Sequence, residues 1–217
     1  MSNFIEEIEY RGCKIKKGYD ECTDSPREWD NLGTIYSNHR WINPDEHTVD
    51  EIIDEEKGVL SKEFEENNLF LHVYMYDHSG YAFRTSETGS NPFGNGLYAQ
   101  FDSGWFGVIA ISKEKVRKEY GVKKISPQLK KRVLGYLKGE IDTYDQYVNG
   151  EVYGYVCEDE NGDEFDSCWG YYDDKSLFAD AKDIIDYHLK QKEEREAKEK
   201  WEEYTANFTD ALQHEIA

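Results

Sequence analysis

The chain has 217 residues, which suits one globular domain or one domain with an appendage. Asp and Glu number 46 against 26 Lys and Arg, so the formal net charge is −20 at pH 7. This charge excludes a general nucleic-acid binder, because phosphate contacts need clustered Lys and Arg, and it argues against docking on anionic membranes. Aromatic residues make up 15% of the sequence, so a packed core is expected.

The sequence predicts neither a membrane segment nor a leader. No apolar run approaches the roughly 20 residues that a membrane helix needs. The start, MSNFIEEIEY, lacks the basic and apolar regions of a signal peptide. The four cysteines are too scattered for a disulfide framework or a zinc pair. We therefore expect a soluble intracellular protein whose free thiols are Cys13, Cys22, Cys157 and Cys168.

The first third of the chain predicts two strands, a long connection and a helix. Loose alternation over residues 4–19 predicts a hairpin, and residues 20–47 are typical of an irregular connection. Residues 48–67 predict a helix, although Gly58 weakens its middle. The apolar stripe of that helix would consist of Val49, Ile52, Ile53, Leu60 and Phe64.

The middle of the chain predicts a second hairpin, a strand and a short helix. Apolar stretches 69–76 and 81–85 flank a tight turn, which favours a hairpin, and residues 105–111 predict a further strand. Ser112 then caps a predicted helix that ends at Gly121.

The last third predicts two helices around a third hairpin. Ser126, followed by Pro, begins a helix that ends by Asn149. The Asn161-Gly162 pair is the strongest hairpin turn signal in the chain and would place Cys157 opposite Asp166. From about residue 176 the pattern is helical to the end, with an almost wholly charged stretch from residue 190 to residue 200.

Together these elements predict an α+β fold, an antiparallel β-sheet of hairpins packed by helices with a long charged C-terminal helix. We expect a globular domain over 1–189 and a charged helical extension over 190–217. A terminal apolar stripe on this extension predicts a homodimer or partner contact. The alternative is a break in the charged stretch that folds the end back onto the domain. The stripe consists of Trp201, Tyr204, Phe208 and Leu212.

Two segments carry the whole charge imbalance. Residues 43–67 hold ten acids and two bases, and residues 140–174 hold twelve acids with no Lys or Arg, while the remainder is neutral. General solubility does not require such local asymmetry. Acids spaced along helices and strands can imitate a phosphate backbone, and exposed aromatics add anchor area at an interface.

The second acidic segment is therefore the candidate partner-binding surface, with Tyr144, Tyr147 and Trp169 as its anchors. The alternative is a solvated acidic face whose aromatics pack inward. The candidate contact residues are Asp142, Tyr144, Asp145, Tyr147, Glu151, Glu158, Asp159, Glu160, Asp163, Glu164, Asp166 and Trp169.

No catalytic, metal or cofactor signature is strong. The run Asp159-x-Asn161-x-Asp163 resembles the start of a calcium loop, but Glu164 replaces the glycine at position six and Gly170 the glutamate at position twelve. The six histidines show no ligand spacing, and no phosphate-binding glycine loop occurs. We predict no metal and no cofactor.

Five blocks of sequence follow one another through most of residues 25–189: WDNLGT, YDHSG, DSGWFG, TYDQYVNGEVYGY and DSCWGYY. They resemble a family of bacteriophage and mobile-element proteins. The resemblance implies a phage-encoded protein that acts in the cytoplasm of its bacterial host. It supplies no catalytic residues, and the charged C-terminal extension departs from the family's usual form.

With this resemblance, the charge pattern favours an acidic inhibitor of a nucleic-acid-dependent defence system, such as a CRISPR effector or a restriction enzyme. A basic channel attracts the acidic segment as it attracts phosphate, so the protein would act by binding and mimicry rather than as an enzyme. Its partner would be a host nucleic-acid-binding protein, with no direct contact to nucleic acid or membrane.

Two other functions stay open. If loops 77–80 and 101–104 approach each other, Asp77, His78 and Asp102 line one cleft, with Ser103 beside them. That arrangement would suit a small metal-assisted hydrolase or an enzyme that degrades a signalling nucleotide. Tight-turn chemistry explains the first loop without catalysis. The third function is phage assembly or scaffolding through the C-terminal helix.

Overall fold

The structure, a computed structural model, describes residues 4–94, 96 and 99–216, without the side chains of residues 99, 100 and 206–216. The chain forms two compact units. Unit 1 joins residues 1–21 to residues 152–217, and unit 2 comprises residues 22–151. Within the described residues no helix is long and apolar enough to cross a membrane.

The elements of the described chain confirm the α+β class. The strands are β1 (Phe4–Tyr10), β2 (Cys13–Tyr19), β3 (Thr34–Ser37), β4 (His47–Thr48), β5 (Ile53–Asp54), β6 (Val59–Leu60), β7 (Asn68–Asp77), β8 (Tyr81–Ser86), β9 (Ser103–Ser112), β10 (Tyr153–Glu158) and β11 (Glu164–Tyr171). The α-helices are α1 (Lys62–Asn67), α2 (Ala99–Asp102), α3 (Lys113–Glu119), α4 (Pro127–Val148) and α5 (Asp174–Ile216).

Unit 1 is an antiparallel sheet of order β1-β2-β10-β11 covered by the first turns of α5. In β2 the side chains alternate with period two, so Cys13 and Ile15 face the core. Leu177, Ala181 and Ile185 follow at intervals of four and form one buried stripe on α5. The core of unit 1 is therefore one sheet face against one helix.

Helix α5 runs unbroken through the charged stretch 190–200, so the alternative with a break there is wrong. Its 43 residues span about 64 Å at ~1.5 Å per residue. The expected domain boundary near residue 189 falls inside this helix and stays a prediction.

Unit 2 is built on a five-stranded sheet of order β4-β3-β9-β7-β8, antiparallel except for the β3–β4 pair. Helix α4 covers one face with Val133, Leu137 and Ile141. On the other face, Val49 and Phe64 pack against β9. Residues 106–111 of β9 are all buried, which explains why this strand is a continuous apolar run rather than an alternating one.

The prediction of one helix over 48–67 is wrong. The segment contains β4, a single 3-10 turn, the β5–β6 hairpin and the six-residue α1. Gly58 has a φ of +65°, and its N–H donates to the carbonyl of Asp54 in the hairpin turn. The apolar positions do face inward, but from turns and short strands as well as from a helix.

The connection 20–47 also holds an unpredicted strand, β3, which pairs with β9. Gly33, just before β3, allows a close approach to α4. A Cβ at this position would come within 2.5 Å of Leu137 and 2.8 Å of Ile109.

Candidate functional site

The predicted acidic surface of residues 140–174 is divided between the two units. Residues 140–151 belong to α4 and the turn that follows it in unit 2, whereas residues 152–174 belong to unit 1. The twelve candidate contact residues thus form two sets, five in unit 2 and seven in unit 1.

In unit 2 the aromatic candidates pack inward. Tyr144 lies three residues beyond Ile141 on the buried stripe of α4 and is 6% exposed, so its proposed role as an exposed anchor is wrong. Burial raises the pKa of Tyr144 to about 12. Tyr147 is half-buried, and its ring lies 6.3 Å from that of Tyr144 between centroids.

The acids of this set mainly hold unit 2 together. Asp145 accepts hydrogen bonds from the backbone N–H of Phe83 at 2.6 Å and from Arg84 Nη1 at 2.9 Å. Asp142 forms an ion pair with Lys138 one turn before it. Glu151 is exposed. Because Asp142 and Asp145 already have protein partners, they offer little free charge to a binding partner.

In unit 1 the acids gather at one end of the β10–β11 hairpin. This hairpin tip, residues 158–166, holds six carboxylates in nine residues and no Lys or Arg. The loop spans five residues rather than the predicted two-residue turn, and Cys157 nevertheless pairs with Asp166 as expected.

One carboxylate of the tip builds the loop. Asp159 Oδ1 accepts hydrogen bonds from the backbone N–H groups of Asn161 at 2.8 Å and Asp163 at 3.0 Å. These bonds favour the charged form and lower the pKa of Asp159. The resemblance to a calcium loop is therefore explained by turn chemistry, and within the described residues no group of three or more His, Cys, Asp or Glu could hold a metal ion.

Two further carboxylates of the tip pair with lysines of unit 1. Glu158 contacts Lys16 Nζ at 2.5 Å, and Glu160 contacts Lys192 Nζ at 3.0 Å. The Glu160–Lys192 pair is largely exposed and is therefore weak. Its carboxylate can exchange its partner at little cost.

The remaining charge of the tip is open to solvent. Asp163 and Glu164 are exposed and have no side-chain partner among the described residues. Asp166 is half-buried near the hydroxyl of Tyr155, at 3.5 Å. Trp169 lies further along β11, is 42% exposed and covers Gly154 with its ring. The tip thus presents two free carboxylates and one loosely paired one.

The terminal stripe of α5 is described as far as residue 205. Trp201 is 66% exposed, Tyr204 is 64% exposed, and their ring centroids lie 6.0 Å apart. The side chains of Phe208 and Leu212 lie outside the described residues.

The two turn loops singled out for an enzyme do approach each other in unit 2. His78 Nδ1 lies 3.3 Å from Asp102 Oδ2, with the histidine largely exposed and the carboxylate at 25% exposure. Ser103 accepts a hydrogen bond from Asn91 Nδ2 at 2.8 Å. A carboxylate that orients an imidazole can position it to act as a general base. Asp77 is exposed at the end of β7.

The sequence reasoning missed a basic pocket in unit 2, between the start of β7, helix α3 and the start of α4. The missed signal is simple: residues 113–132 contain nine Lys and Arg and two Glu, a net charge of +7 inside a strongly acidic chain. The charge of all residues outside the two acidic segments was summed together, and because that sum is zero the basic segment was not noticed.

Comparisons of the chain with family models, with curated proteins and with solved structures find no match.

Proposed function

We propose that the protein is an acidic binding protein that inhibits a nucleic-acid-dependent bacterial defence enzyme. It occupies the basic channel through which that enzyme grips nucleic acid. The hairpin tip of unit 1 is the observation that carries this proposal, because its nine residues hold six carboxylates and no basic residue. Those of Asp163 and Glu164 are exposed and have no side-chain partner among the described residues. The phage resemblance of the sequence blocks supports a bacterial host and a target such as a CRISPR effector or a restriction enzyme.

The proposed contact surface comprises fewer residues than the twelve that the sequence predicted. Glu160, Asp163 and Glu164 carry charge that no buried contact of unit 1 requires, and Trp169 adds an exposed aromatic side chain further along β11. Such a patch accelerates association with a basic channel, and the acceleration falls as salt rises because the Debye length is only about 8 Å at physiological ionic strength.

The test compares three forms of the full chain as bait in a nuclease-treated bacterial lysate. The first is the wild type. The second, the tip variant, carries Glu160→Lys, Asp163→Lys and Glu164→Lys. The matched control carries Glu55→Lys, Glu56→Lys and Glu63→Lys, three exposed acids of the other acidic segment, so that both variants change the net charge equally.

We expect the wild type and the control to retain a nucleic-acid-binding protein that elutes between about 0.1 and 0.5 M salt, and the tip variant to lose it. Equal retention by all three forms would refute the tip as the contact surface. Loss from both variants would show that net charge, and not this surface, determines binding.

The approach of His78 to Asp102 favours a second candidate, a small hydrolase that uses this pair. If it is correct, the chain with added Mg²⁺ or Mn²⁺ hydrolyses a phosphoester substrate such as a cyclic dinucleotide, and His78→Ala and Asp102→Asn each abolish turnover. Turnover that both variants retain would exclude the pair.

The exposed rings of Trp201 and Tyr204 favour a contact through the end of α5. Light scattering on the full chain and on a chain ending at Lys190 tests it. A dimer that becomes a monomer on truncation supports the contact, and an unchanged mass refutes it.

A further inference from the structure

The basic pocket of unit 2 is a concave site of about 910 Å³. Its volume falls in the range of roughly 300–1,000 Å³ that small-molecule sites occupy in proteins. Leu69, Phe70, Ile125 and Leu134 supply apolar atoms to its wall, while Asn68 and Thr88 add neutral polar groups. Its basic residues are Lys113, Arg117, Lys123, Lys124 and Lys130.

The cations come from separate elements and converge on one cavity. Lys113 and Arg117 lie one helical turn apart on α3, which places them on the same face. Lys123 and Lys124 belong to the connection to α4, and Lys130 lies in the first turns of α4. The other basic residues of 113–132 have different neighbours: Lys115 Nζ donates to the carbonyl of Leu32, and Arg132 donates to Tyr136.

Unit 2 does not use most of these charges for its own stability. Lys113 Nζ donates to the carbonyl of Glu66 at 2.5 Å, which fixes it at the end of α1. Among the described residues no carboxylate lies within ion-pair distance of the other four cations, although Glu65 and Glu87 also line the pocket. Five like charges around one cavity repel one another, and a bound polyanion would relieve that repulsion.

Two aromatic side chains lie in the wall beside the charges. The Phe70 ring meets the half-buried His72 imidazole edge to face, at 5.5 Å between centroids. Burial lowers the pKa of His72, so that at neutral pH this side chain is an uncharged ring and not a sixth cation. The wall thus pairs aromatic and aliphatic surface with a cationic rim.

We propose that the basic pocket binds a nucleoside triphosphate or diphosphate, with its phosphates on the cations and its base on the apolar wall. Five cations in one concavity match the concentrated charge of a short polyphosphate. An extended nucleic acid would leave the pocket and meet a chain with a net charge of −20. The proposal is independent of the hairpin tip and of α4's N-terminus, whose Ser126 cap already accepts from the N–H of Leu129.

Isothermal titration calorimetry of the full chain with ATP at about 0.05 M salt tests this site. Two matched pairs of variants separate the pocket from general charge. Lys130→Glu is compared with Lys131→Glu on α4, and Arg117→Glu with Lys118→Glu on α3. In each pair both residues are exposed, the charge change is the same, and only the first residue lines the pocket.

We expect saturable ATP binding that Lys130→Glu and Arg117→Glu each weaken by at least about tenfold, while Lys131→Glu and Lys118→Glu change it by less than about threefold. The tip variant of unit 1 should bind ATP like the wild type. A failure of the ATP site can therefore be distinguished from a failure of the proposed function. Thermal unfolding of each variant confirms that it is folded.

Four results would overturn the proposal. No binding at millimolar ATP, or equal weakening by the two members of a pair, would remove the site. Tripolyphosphate binding as tightly as ATP would refute a contact between the base and the wall. A single-stranded oligonucleotide binding more tightly than ATP would refute a compact ligand.

Discussion

The buried arginine of unit 2 gives the sharpest test of the structure. The Arg27 side chain is 3% exposed and forms ion pairs with Asp45 at 2.7 Å and with Glu140 at 2.9 Å. Its Nη2 also donates to the carbonyl of Gly33 at 2.8 Å. Burial alone would lower the pKa of Arg27, but the hydrogen bonds to both carboxylates outweigh it and leave the pKa raised. We therefore expect Arg27→Met to destabilise unit 2 strongly.

The magnitude follows from what the variant leaves behind. Two carboxylates with 12% and 15% exposure lose the one cation that pairs with them in the described part of the chain. Asp45 still accepts from the N–H of Ile35, and Glu140 from that of Leu32, so both stay in place as uncompensated charges. Removal of one partner of a buried ion pair typically costs about 3–5 kcal/mol, a large share of the roughly 5–15 kcal/mol that holds a domain together.

Hydrogen exchange followed by mass spectrometry measures this loss of stability as the opening free energy of peptides from β7 and β9. The matched control is Arg84→Met, because Arg84 is 51% exposed in its pair with Asp145. Asp145 is 17% exposed, but the guanidinium of Arg84 is solvated, so this pair is worth less than a pair with two buried partners, at most about 1 kcal/mol. We expect the opening free energy of these peptides to fall by about 3–5 kcal/mol for Arg27→Met and by less than about 1 kcal/mol for the control. Equal losses would refute the buried network.

Three further predictions test unit 1 and the titrating groups. Gly154→Ala places a Cβ 2.1 Å from an indole carbon of β11, so we expect a loss of about 1–3 kcal/mol in urea unfolding, and an unchanged midpoint would contradict this packing. Iodoacetamide at pH 8 should alkylate the exposed Cys22 and Cys168 but spare Cys157, since burial raises the pKa of its thiol to about 12; modification of Cys157 in the native chain would refute its burial. Burial lowers the pKa of His72 from 6.5, so the unfolded chain takes up a proton near pH 6.5 that the native chain does not, and the unfolding free energy should fall as pH drops below about 6.5. His72→Asn should flatten that part of the pH profile, and an identical profile would contradict the assignment.

The sequence predicted the elements whose signals are local. The serine caps at Ser112 and Ser126 begin α3 and α4, and the turn at Asn161-Gly162 joins the strands of the third hairpin. The helix predicted over residues 48–67 was wrong because the same apolar positions fit two patterns equally well. They fit the stripe of one helix, and they also fit the inward positions of turns and short strands. Strand β3 has only four residues, too few for a clear alternation.

The candidate surface was predicted less well, because ion pairs between distant residues are not visible in the sequence and because charge was summed over long segments. Asp145 and Arg84 are 61 residues apart, so the sequence does not reveal that this charge is already bound. The burial of Tyr144 could have been predicted, because it continues the stripe of Leu137 and Ile141 at helical spacing. The pocket cations escaped notice because charge was summed over long segments.

The central claim is that the hairpin tip competes with nucleic acid for a basic channel, and a displacement assay tests it most directly. A fluorescent oligonucleotide bound to the partner retained by the wild type is titrated with the wild type, the tip variant and the control, and its anisotropy is followed. The account predicts that the wild type and the control displace the oligonucleotide competitively, and that Glu160→Lys with Asp163→Lys and Glu164→Lys is weaker by at least about tenfold. A ternary complex in which the oligonucleotide stays bound, or equal displacement by the tip variant, would contradict it.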